Sequence, residues 1–547
     1  MKQNPHYLLI AALVLAGVVT VSCGKQLDEP QPQDSGRTVT LTSTIGLDAP
    51  TKALTALGEK TFAKDDQIAV IYKQKGGNTA KALSNALTDS DIYDGGRKAN
   101  ITVTLDNLTE NGAIRYIYPA GMALATVATD ADVNSDAATI DFTQLDAQDG
   151  TLETLAANYD LSVFDGTFNG SELPESALLS NQLAIGEFTI KNTSGNDITN
   201  TVTGLKVTDG TNTYTVSRAA ADGPVYVAML PVANTETLTF IATDNAATPN
   251  HFIKMVSGKA LARNNMYPVR LTMYPALDVS ELTGTSITIA DGYWLYGIQA
   301  SSVQLRIADE AHVTLAGVTI TPSHAGSGLE CKGSTTITLA AGTINHVASG
   351  TGNGGWNYAG IQVGPTNKTL TIDGEGTLIA ECTLGEDNLG HGAGIGACYN
   401  KSCGNIVILG GNIDAAGGCY TPGIGSGFGS NNSKKSVCGD ITISGGTVTA
   451  VGGSADGIGC GTGAYCRCGA ITITEGARSV TAIGDRCIGE RYSFEGYYNR
   501  YGTITIDGHV LTEDDRNNPE GLTFTHFNSE YVYDSEYDES SWILTHK

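Results

Sequence analysis

Residues 406–415 read Ile-Val-Ile-Leu-Gly-Gly-Asn-Ile-Asp-Ala, and this unit recurs through the second half of the chain. Further copies begin at Ile441 and Ile471, and a looser one begins at Leu370. Consecutive starts lie 36, 35 and 30 residues apart (406 − 370, 441 − 406 and 471 − 441). Each copy alternates apolar and polar residues around glycines, which is typical of stacked coils that bury an inward face against their neighbours. The sequence therefore predicts a parallel β-helix, which we expect over residues 277–512 of an all-β chain.

Gly-Ile-Gly triplets separate the copies, at residues 394–396, 423–425 and 457–459. A phosphate-binding glycine loop would need a helix that opens directly after it, and the sequence indicates none. Because the triplet recurs with the repeat, we interpret it as a tight structural corner.

The composition excludes some partners. With 32 basic and 57 acidic residues, the chain has a formal net charge of −25. Such a charge repels phosphate backbones, so we expect no nucleic-acid partner. Only 16% of the residues are charged while 67 are glycine, which indicates a turn-rich β protein and not a disordered acidic chain.

The N-terminus predicts export. An apolar run over residues 7–21 is too short to span a bilayer comfortably and matches a secretory signal. Ser22-Cys23-Gly24 resembles the lipobox of bacterial lipoproteins, although Thr20 replaces the usual leucine. The resemblance implies a signal peptide over residues 1–22, a lipid on Cys23, and a surface-exposed, lipid-anchored protein at the outer membrane. An ordinary signal peptide is the alternative. Residues 23–37 are predicted to be a flexible tether.

Short alternating segments fill residues 38–276 between Gly, Asn and Asp turns. Ile101-Thr-Val-Thr-Leu105 and Leu238-Thr-Phe-Ile-Ala242 are examples. Strands at this density, without long helical patterns, indicate antiparallel sandwiches. We expect one β-sandwich over residues 38–170 and a second over residues 171–276.

The order of these segments resembles that of Bacteroidetes fimbrillins. Five landmarks in the family's order carry the resemblance: Phe62-Ala-Lys-Asp-Asp-Gln-Ile-Ala-Val-Ile-Tyr72, Tyr116-Ile-Tyr-Pro119, Asn181-Gln-Leu-Ala-Ile-Gly-Glu-Phe-Thr-Ile190, Tyr226-Val-Ala-Met-Leu-Pro231 and Asn264-Asn-Met-Tyr-Pro-Val-Arg-Leu271. Asp65 and Gln182 depart from the glycine and histidine that are usual in that family.

This resemblance implies two fimbrillin-like sandwiches in a component of a pilus, or fimbrium, as a polymerising, accessory or tip subunit. Related subunits are cut after an arginine near the start. They polymerise when a strand of one subunit fills a groove in the next, by β-augmentation. Arg37 stands where such a cut would fall, and the alternative is a solvated linker arginine. Other pilus subunits are therefore expected as strand-exchange partners.

Cysteine use is confined to the repeats apart from Cys23. Cys403, Cys438 and Cys468 each precede a glycine, so we expect them to stack in successive coils. Neighbouring strands lie ~4.8 Å apart, which a disulfide can bridge. Disulfides or stacked thiols are therefore predicted; the candidates are Cys398, Cys403, Cys438, Cys460, Cys466 and Cys468. Because zinc-like spacing is lacking, we expect no metal and no cofactor.

Catalysis is not indicated by the sequence. A polysaccharide lyase or glycoside hydrolase on a β-helix would need paired carboxylates or a basic residue over a groove. Glu386 and Asp387, near His391, are the best pair, and solvated loop charges are the commoner interpretation. We expect no enzyme and assign no catalytic residue. A surface-anchored glycan-cleaving enzyme stays open as an alternative, and so does a ligand-free structural stalk.

Aromatic residues in the loops between copies favour binding. Aromatic faces stack on sugar rings while Asn and Asp bind hydroxyls. The candidates for glycan contact are Trp356, Tyr358, Tyr399, Tyr420 and Tyr465; the alternative is that they pack on neighbouring loops. Gly-Ile-Gly repeat proteins of gut bacterial surfaces look similar and are described as carbohydrate-binding or adhesin-like. We therefore expect adhesion, with glycans or other host or bacterial surface components as partners. Residues 513–547, acidic and aromatic, are predicted to cap the last coil.

Overall fold

The computed structural model describes residues 38–47, 60–169, 172–299, 301–350, 357–384, 390–463, 465–485, 487–489, 501–517, 519–534 and 539–547. Strands account for 49% of the structure and helices for 7%, so the prediction of an all-β chain is confirmed. The predicted signal peptide and tether, Cys23, Arg37, Trp356 and the pair Glu386 and Asp387 lie outside the described residues. Within the described ranges, no helix is both long and apolar enough to cross a membrane.

Helical segments are short and serve as connections. The helices are α1 (Asp136–Thr139), α2 (Leu152–Thr154) and α3 (Glu513–Asn517). Single 3₁₀ turns lie at Asp94–Gly96, Ala120–Met122, Phe142–Leu145, Thr199–Thr201 and Val279–Glu281, and a π turn lies at Leu155–Tyr159.

The first group of strands forms an eight-stranded sheet. The strands are β1 (Val39–Leu47), β2 (Ala69–Lys73), β3 (Thr79–Leu83), β4 (Ile92–Tyr93), β5 (Lys98–Leu105), β6 (Asn111–Tyr118), β7 (Ala147–Gln148), β8 (Ser162–Asn169) and β9 (Ser176–Asn181). Their order in the sheet is β3-β2-β6-β8-β9-β1-β5-β4, and β7 pairs elsewhere. Alternation places Ile101, Val103 and Leu105 of β5 in the core with 0% exposure, as its period of two predicts.

The second group forms two facing sheets. Its strands are β10 (Ala184–Lys191), β11 (Val202–Thr208), β12 (Thr213–Ser217), β13 (Val225–Met229), β14 (Thr237–Asp244), β15 (His251–Ser257), β16 (Asn265–Thr272) and β17 (Tyr274–Asp278). One sheet has the order β13-β10-β16, and β11, β12, β14 and β15 belong to the other. The rings of Phe188 in β10 and Phe240 in β14 lie 5.2 Å apart, so the two sheets pack across an apolar core.

The repeats form many short strands. They are β18 (Ser286–Ile289), β19 (Trp294–Ile298), β20 (Gln304–Ile307), β21 (Ala311–Ile320), β22 (Leu329–Cys331), β23 (Thr335–Leu339), β24 (Ile344–Ala348), β25 (Ile361–Gln362), β26 (Thr369–Gly374), β27 (Thr377–Glu381), β28 (Ile395–Gly396), β29 (Asn405–Ile408), β30 (Asn412–Ala416), β31 (Ile424–Gly425), β32 (Ser436–Cys438), β33 (Ile441–Ile443), β34 (Thr447–Val451), β35 (Ile458–Gly459), β36 (Cys466–Cys468), β37 (Ile471–Ile473), β38 (Ser479–Gly484), β39 (Ile504–Ile506) and β40 (His509–Val510).

Most of these strands pair in parallel along three ladders; β32 and β36 pair in parallel with each other, and β40 pairs antiparallel with β39. One ladder is β18-β20-β22-β25-β28-β31-β35. A second runs β21-β23-β26-β29-β33-β37-β39, and a third runs β21-β24-β27-β30-β34-β38. Ile441 pairs with Ile406 on one side and Ile471 on the other, and all three are fully buried. Identical positions of successive copies therefore stack in register on one apolar core.

The Gly-Ile-Gly corner has a steric cause. Gly396 and Gly425 adopt φ of 150° and 145°, a region that favours glycine. A Cβ on Gly425 would lie 1.9 Å from the backbone oxygen of Gly459, and one on Gly396 would lie 1.8 Å from that of Gly425. Each corner thus rests directly on the backbone of the next, which leaves no room for a side chain.

A C-terminal hairpin covers the last strand of the third ladder. It consists of β41 (Phe527–Asp534) and β42 (Glu539–His546), and β42 pairs antiparallel with β38. Trp542 of β42 is opposite Ala482 and is 2% exposed. At the other end, β17 pairs with both β15 and β19, so strand pairing is continuous across the predicted boundary at residues 276 and 277. The predicted domain boundaries stay predictions.

Candidate ligand cleft

A cleft of about 620 Å³ lies along the outer side of the ladder that begins with β18. Arg306 of β20, Glu330 of β22 and Gln362 of β25 are consecutive register partners. Their neighbours Leu305, Leu329 and Ile361 have 0% exposure, so the pleat sends the polar side chains outward in one row. This row lines the cleft together with Gln304, His324, Lys332, Tyr358 and Lys401.

The charged residues of the cleft form one bridged group. Glu330 accepts from Arg306 Nε at 2.9 Å and from Lys332 Nζ at 2.6 Å. Burial acts to raise the pKa of Glu330, but the hydrogen bonds from Lys332 and Arg306 outweigh it and hold this pKa below its usual range. Lys401 is exposed at the rim of the cleft. Three cationic side chains therefore share this cleft with one carboxylate, in a chain whose net charge is −25.

Two amides are fixed in orientation at the floor of the cleft. Gln362 donates from Nε2 to the Val363 carbonyl at 2.7 Å and accepts from the backbone nitrogen of Cys398 at 2.8 Å. Gln304 donates to the Ser327 carbonyl at 2.9 Å, while its Oε1 lies 3.2 Å from His324 Nε2. Held side chains of this kind are typical of preformed ligand sites, since little freedom is lost on binding.

Cys398 borders the cleft but is not a nucleophile. Its side chain is 5% exposed, and its Sγ lies 3.3 Å from Ser327 Oγ and 3.3 Å from the backbone nitrogen of Ala359. Burial raises the pKa of this thiol to about 11, so it stays protonated at neutral pH.

An aromatic cluster adjoins the cleft; we define it as His391, Tyr399, Tyr420 and Phe428. The His391 ring is stacked on Tyr420 at 5.6 Å and contacts Tyr399 at 5.1 Å and Phe428 at 5.2 Å. Burial lowers the pKa of His391, which favours the neutral ring. Asn357 connects the aromatic cluster to the cleft. Its backbone carbonyl accepts a hydrogen bond from the backbone nitrogen of Tyr399 at 2.8 Å, and its neighbour Tyr358 lines the cleft.

The aromatic residues singled out in the sequence have different locations. Tyr358 is 36% exposed and lines the cleft. Tyr399 and Tyr420 are half-buried within the aromatic cluster, as the alternative of packing on neighbouring loops expects. Tyr465 is half-buried before β36, away from the cleft lining. Sequence reasoning missed Arg306, Glu330, Lys332 and Lys401, whose only local signal is an outward polar position in a short strand or its loop.

The cysteines predicted to stack are neighbours in space. Cys438 of β32 and Cys468 of β36 are register partners, and Cys403 donates its backbone N–H to Val437 beside Cys438 at 2.8 Å. No disulfide joins these three residues in the structure, and each is at most 4% exposed. Contact with the Cys403 thiol, together with burial, raises the pKa of Cys438 well above its usual value. The choice between disulfides and stacked thiols stays a prediction.

In the part of the chain that the structure describes, one group of potential metal ligands lies at the end of the repeats. Glu475, Asp507 and His526 bring their ligand atoms within 4.8 Å of one another. His526 Nδ1 lies 2.7 Å from Asp507 Oδ1, and Nε2 lies 3.4 Å from Glu475 Oε2. Because a carboxylate faces each ring nitrogen, both nitrogens are placed to carry protons. The hydrogen bond to Asp507 raises the pKa of His526, which favours a protonated ring between two carboxylates and joins the C-terminal segment to the turn after β39.

Parts of several solved structures are similar to this chain. A fimbrial assembly protein from Parabacteroides distasonis is 12% identical over 44% of this chain and 95% of its own, with a TM-score of 0.26. A fimbrial protein from Bacteroides ovatus is 11% identical over 48% of this chain and 51% of its own, with a TM-score of 0.23. No protein family and no curated protein matches this chain. Likeness of this extent assigns neither family nor function, which have to be argued from the residues.

Proposed function

We propose that this protein is a cell-surface adhesin that binds glycans in the cleft around Arg306, Glu330 and Tyr358. The observation that carries the proposal is a row of outward polar side chains on consecutive parallel strands, beside an accessible aromatic ring. Sugars present hydroxyl edges and apolar ring faces, which fixed amides, charges and aromatic rings bind.

The scaffold supports this proposal. We propose that the three parallel ladders are the faces of one parallel β-helix, and that the Gly-Ile-Gly triplets form part of one face, where β28, β31 and β35 pair. A stack in which Ile406, Ile441 and Ile471 lie in register holds outward side chains at fixed spacing. Fixed spacing along successive coils suits a ligand that is itself a repeating polymer.

The charge of the cleft favours an anionic glycan. Arg306, Lys332 and Lys401 outnumber Glu330 locally, while the chain as a whole is strongly acidic. A carboxylated or sulfated sugar would be repelled by most of the surface and attracted to this cleft, which would position it there.

A glycan microarray tests this function with the purified protein. Binding is expected for acidic glycans, and Lys401→Gln is expected to weaken it. Lys434→Gln removes an exposed lysine that does not line the cleft, so this matched control is expected to bind normally. Equal binding by both variants would contradict the assignment of the cleft. Glycans that gain new reducing ends on incubation with the protein would instead favour the glycan-cleaving enzyme. An array on which no glycan is bound would favour the structural stalk.

We also propose that the protein is lipid-anchored at the cell surface. The support is sequence alone, the apolar run and the residues around Cys23. Mass spectrometry of the mature N-terminus separates the alternatives: a lipid-modified Cys23 supports the anchor, and a chain that begins at Thr38 supports cleavage after Arg37.

A second candidate function, assembly into a pilus by strand addition, has one structural observation in its favour. Within the described residues, Thr44–Leu47 is the only part of β1 that pairs with β9. Residues 39–43 of β1 therefore have no partner strand on the side that faces β9. A cleft of about 630 Å³ opens along this edge, lined in part by Thr42, Glu172 and Glu175. An unpaired strand edge can accept a strand from another subunit.

Thr42→Pro is expected to abolish polymers seen by electron microscopy, and polymers formed equally by this variant would contradict the assignment of the edge.

A further inference from the structure

A buried lysine in the segment before β2 and a buried aspartate in the segment before β8 lie in contact. The side chains of Lys60 and Asp160 are 6% and 0% exposed, and Lys60 Nζ lies 3.3 Å from Asp160 Oδ2. Nζ also donates to the Asp160 carbonyl and lies 3.3 Å from Ser162 Oγ. The amine is therefore held by two further acceptors, with its nitrogen next to the carboxyl group.

Aromatic rings lie on one side of this pair. The Tyr118 ring lies 4.5 Å from Lys60 Nζ, and Phe62 packs on Tyr118 at 5.0 Å. Burial lowers the pKa of Lys60 and raises the pKa of Asp160, and nearby opposite charges only partly offset both effects. Both groups are thus driven toward their neutral forms, an amine and a carboxylic acid. These are the forms that can react with each other.

A third buried residue polarises the carboxyl group. Asn181 is 7% exposed, and its Nδ2 donates to Asp160 Oδ1. The Asn181 amide is held in this orientation because its own Oδ1 accepts from the Leu183 nitrogen at 2.7 Å. Asp160 Oδ2 is buried without a hydrogen-bond partner among the described residues. Oδ1 of Asp160 therefore accepts a hydrogen bond that can stabilise negative charge, and Oδ2 is placed to act as the leaving group.

We propose that Lys60 and Asp160 are joined by an intramolecular amide bond. The lone pair of neutral Nζ attacks Asp160 Cγ, while Asn181 Nδ2 stabilises the charge that develops on Oδ1. The Cγ–Oδ2 bond then breaks, and Oδ2 leaves as water with its own proton and one from Nζ. One amine and one carboxylic acid give one amide and one water, so atoms and charge balance and no oxidant or activating group is needed.

The fold supplies the driving force for this condensation. The two groups are held in contact, which replaces a bimolecular encounter by an intramolecular one. Burial disfavours the competing ionised forms and excludes the water that would reverse the reaction. The bond would tie the segment before β2 to the segment before β8, 100 residues later (160 − 60).

Peptide mass spectrometry of the purified protein tests the bond. Digestion with trypsin and Glu-C separates Asp160, in residues 154–172, from Asn181, in residues 176–187. The expected product is residues 60–64 joined to residues 154–172, lighter than the sum of the two peptides by one water. Lys60→Arg is expected to remove this product, and Asn181→Ala is expected to slow its formation. Lys64→Arg, which changes an exposed lysine in the same peptide, is expected to leave it intact.

Three outcomes would overturn the proposal. One is a wild-type protein in which residues 154–172 are recovered only as a separate peptide and trypsin has cleaved after Lys60 to release residues 61–64. Another is residues 60–64 joined to 176–187 with the loss of ammonia, which would make Asn181 the acceptor in place of Asp160. A third is a cross-linked product that persists in Lys60→Arg. The wild-type measurement does not depend on whether any variant folds.

Discussion

Arg306 of β20 and Glu330 of β22 are register partners on adjacent parallel strands, and Nε of the arginine lies 2.9 Å from Oε2 of the glutamate. Lys332 binds the other carboxylate oxygen of Glu330 at 2.6 Å. The glutamate therefore orients two cations at the surface of the cleft. This orientation is the main reason to expect an anionic ligand there.

Arg306→Gln is expected to weaken binding of an acidic glycan by about tenfold, since a charged hydrogen bond contributes ~1.5 kcal/mol or more. Isothermal titration with an acidic oligosaccharide that binds on the array measures this loss. Arg467→Gln is the control, because Arg467 is exposed on β36 and does not line the cleft. Binding should also weaken as salt is added, since ions screen exposed charges. Salt-independent binding would contradict an ionic contact.

Gly425→Ala is expected to destabilise the repeats by more than ~2 kcal/mol, because its Cβ would lie 1.9 Å from the Gly459 backbone oxygen and its φ is 145°. Chemical denaturation measures the free energy of unfolding. Gly292→Ala is a matched control, since Gly292 also has a positive φ but no atom lies within 4 Å of its added Cβ. The control is expected to cost only about 1 kcal/mol. Equal costs for both variants would show that the close approach of successive corners does not matter.

The histidine between Glu475 and Asp507 is expected to stabilise the C-terminal segment in a pH-dependent way. The hydrogen bond to Asp507 raises the pKa of His526 in the folded protein. A raised pKa means that the contribution is complete below the unfolded pKa of about 6.5 and is lost as pH rises through the folded value. The difference in melting temperature between wild type and His526→Gln should therefore shrink from about pH 6 to about pH 9. A difference that grows over this range would contradict the contact.

Cys398 is expected to resist alkylation in the native protein, because its buried thiol has a pKa of about 11 and little thiolate exists at pH 8. Iodoacetamide labelling followed by peptide mass spectrometry measures the rate. The same thiol should react quickly after denaturation, which serves as the internal control. Fast labelling of native Cys398 would show that the wall of the cleft opens.

The repeated part of the fold could be predicted because its signal is local. Ile441-Thr-Ile carries both the alternation and the glycine punctuation that fix which side faces inward. The parallel pairing of Ile441 with Ile406 and Ile471 follows from the repeat, since equivalent residues stack. Cys403 is fully buried, so the apolar core includes thiol side chains. The sequence pattern of the repeat alone places this cysteine at an inward position.

The cleft could not be predicted from the sequence, because its residues are far apart in the chain. Arg306 and Lys401 come together only through the parallel pairing of strands that precede and follow the looser copy at Leu370. The contact between Lys60 and Asp160 has the same character, since neither residue belongs to a local pattern. The aromatic residues could be recognised in the sequence. Their contacts with His391 decide whether they are packed or exposed, and these contacts depend on loop conformation.

Binding to a microarray of paired acidic and neutral glycans, measured for the wild type and for Lys401→Gln, tests the glycan-binding cleft most directly. We predict binding to the acidic members of the pairs, little binding to their neutral counterparts, and a clear loss in the variant. Binding that ignores the charge of the glycan, or that persists unchanged in Lys401→Gln, would contradict it.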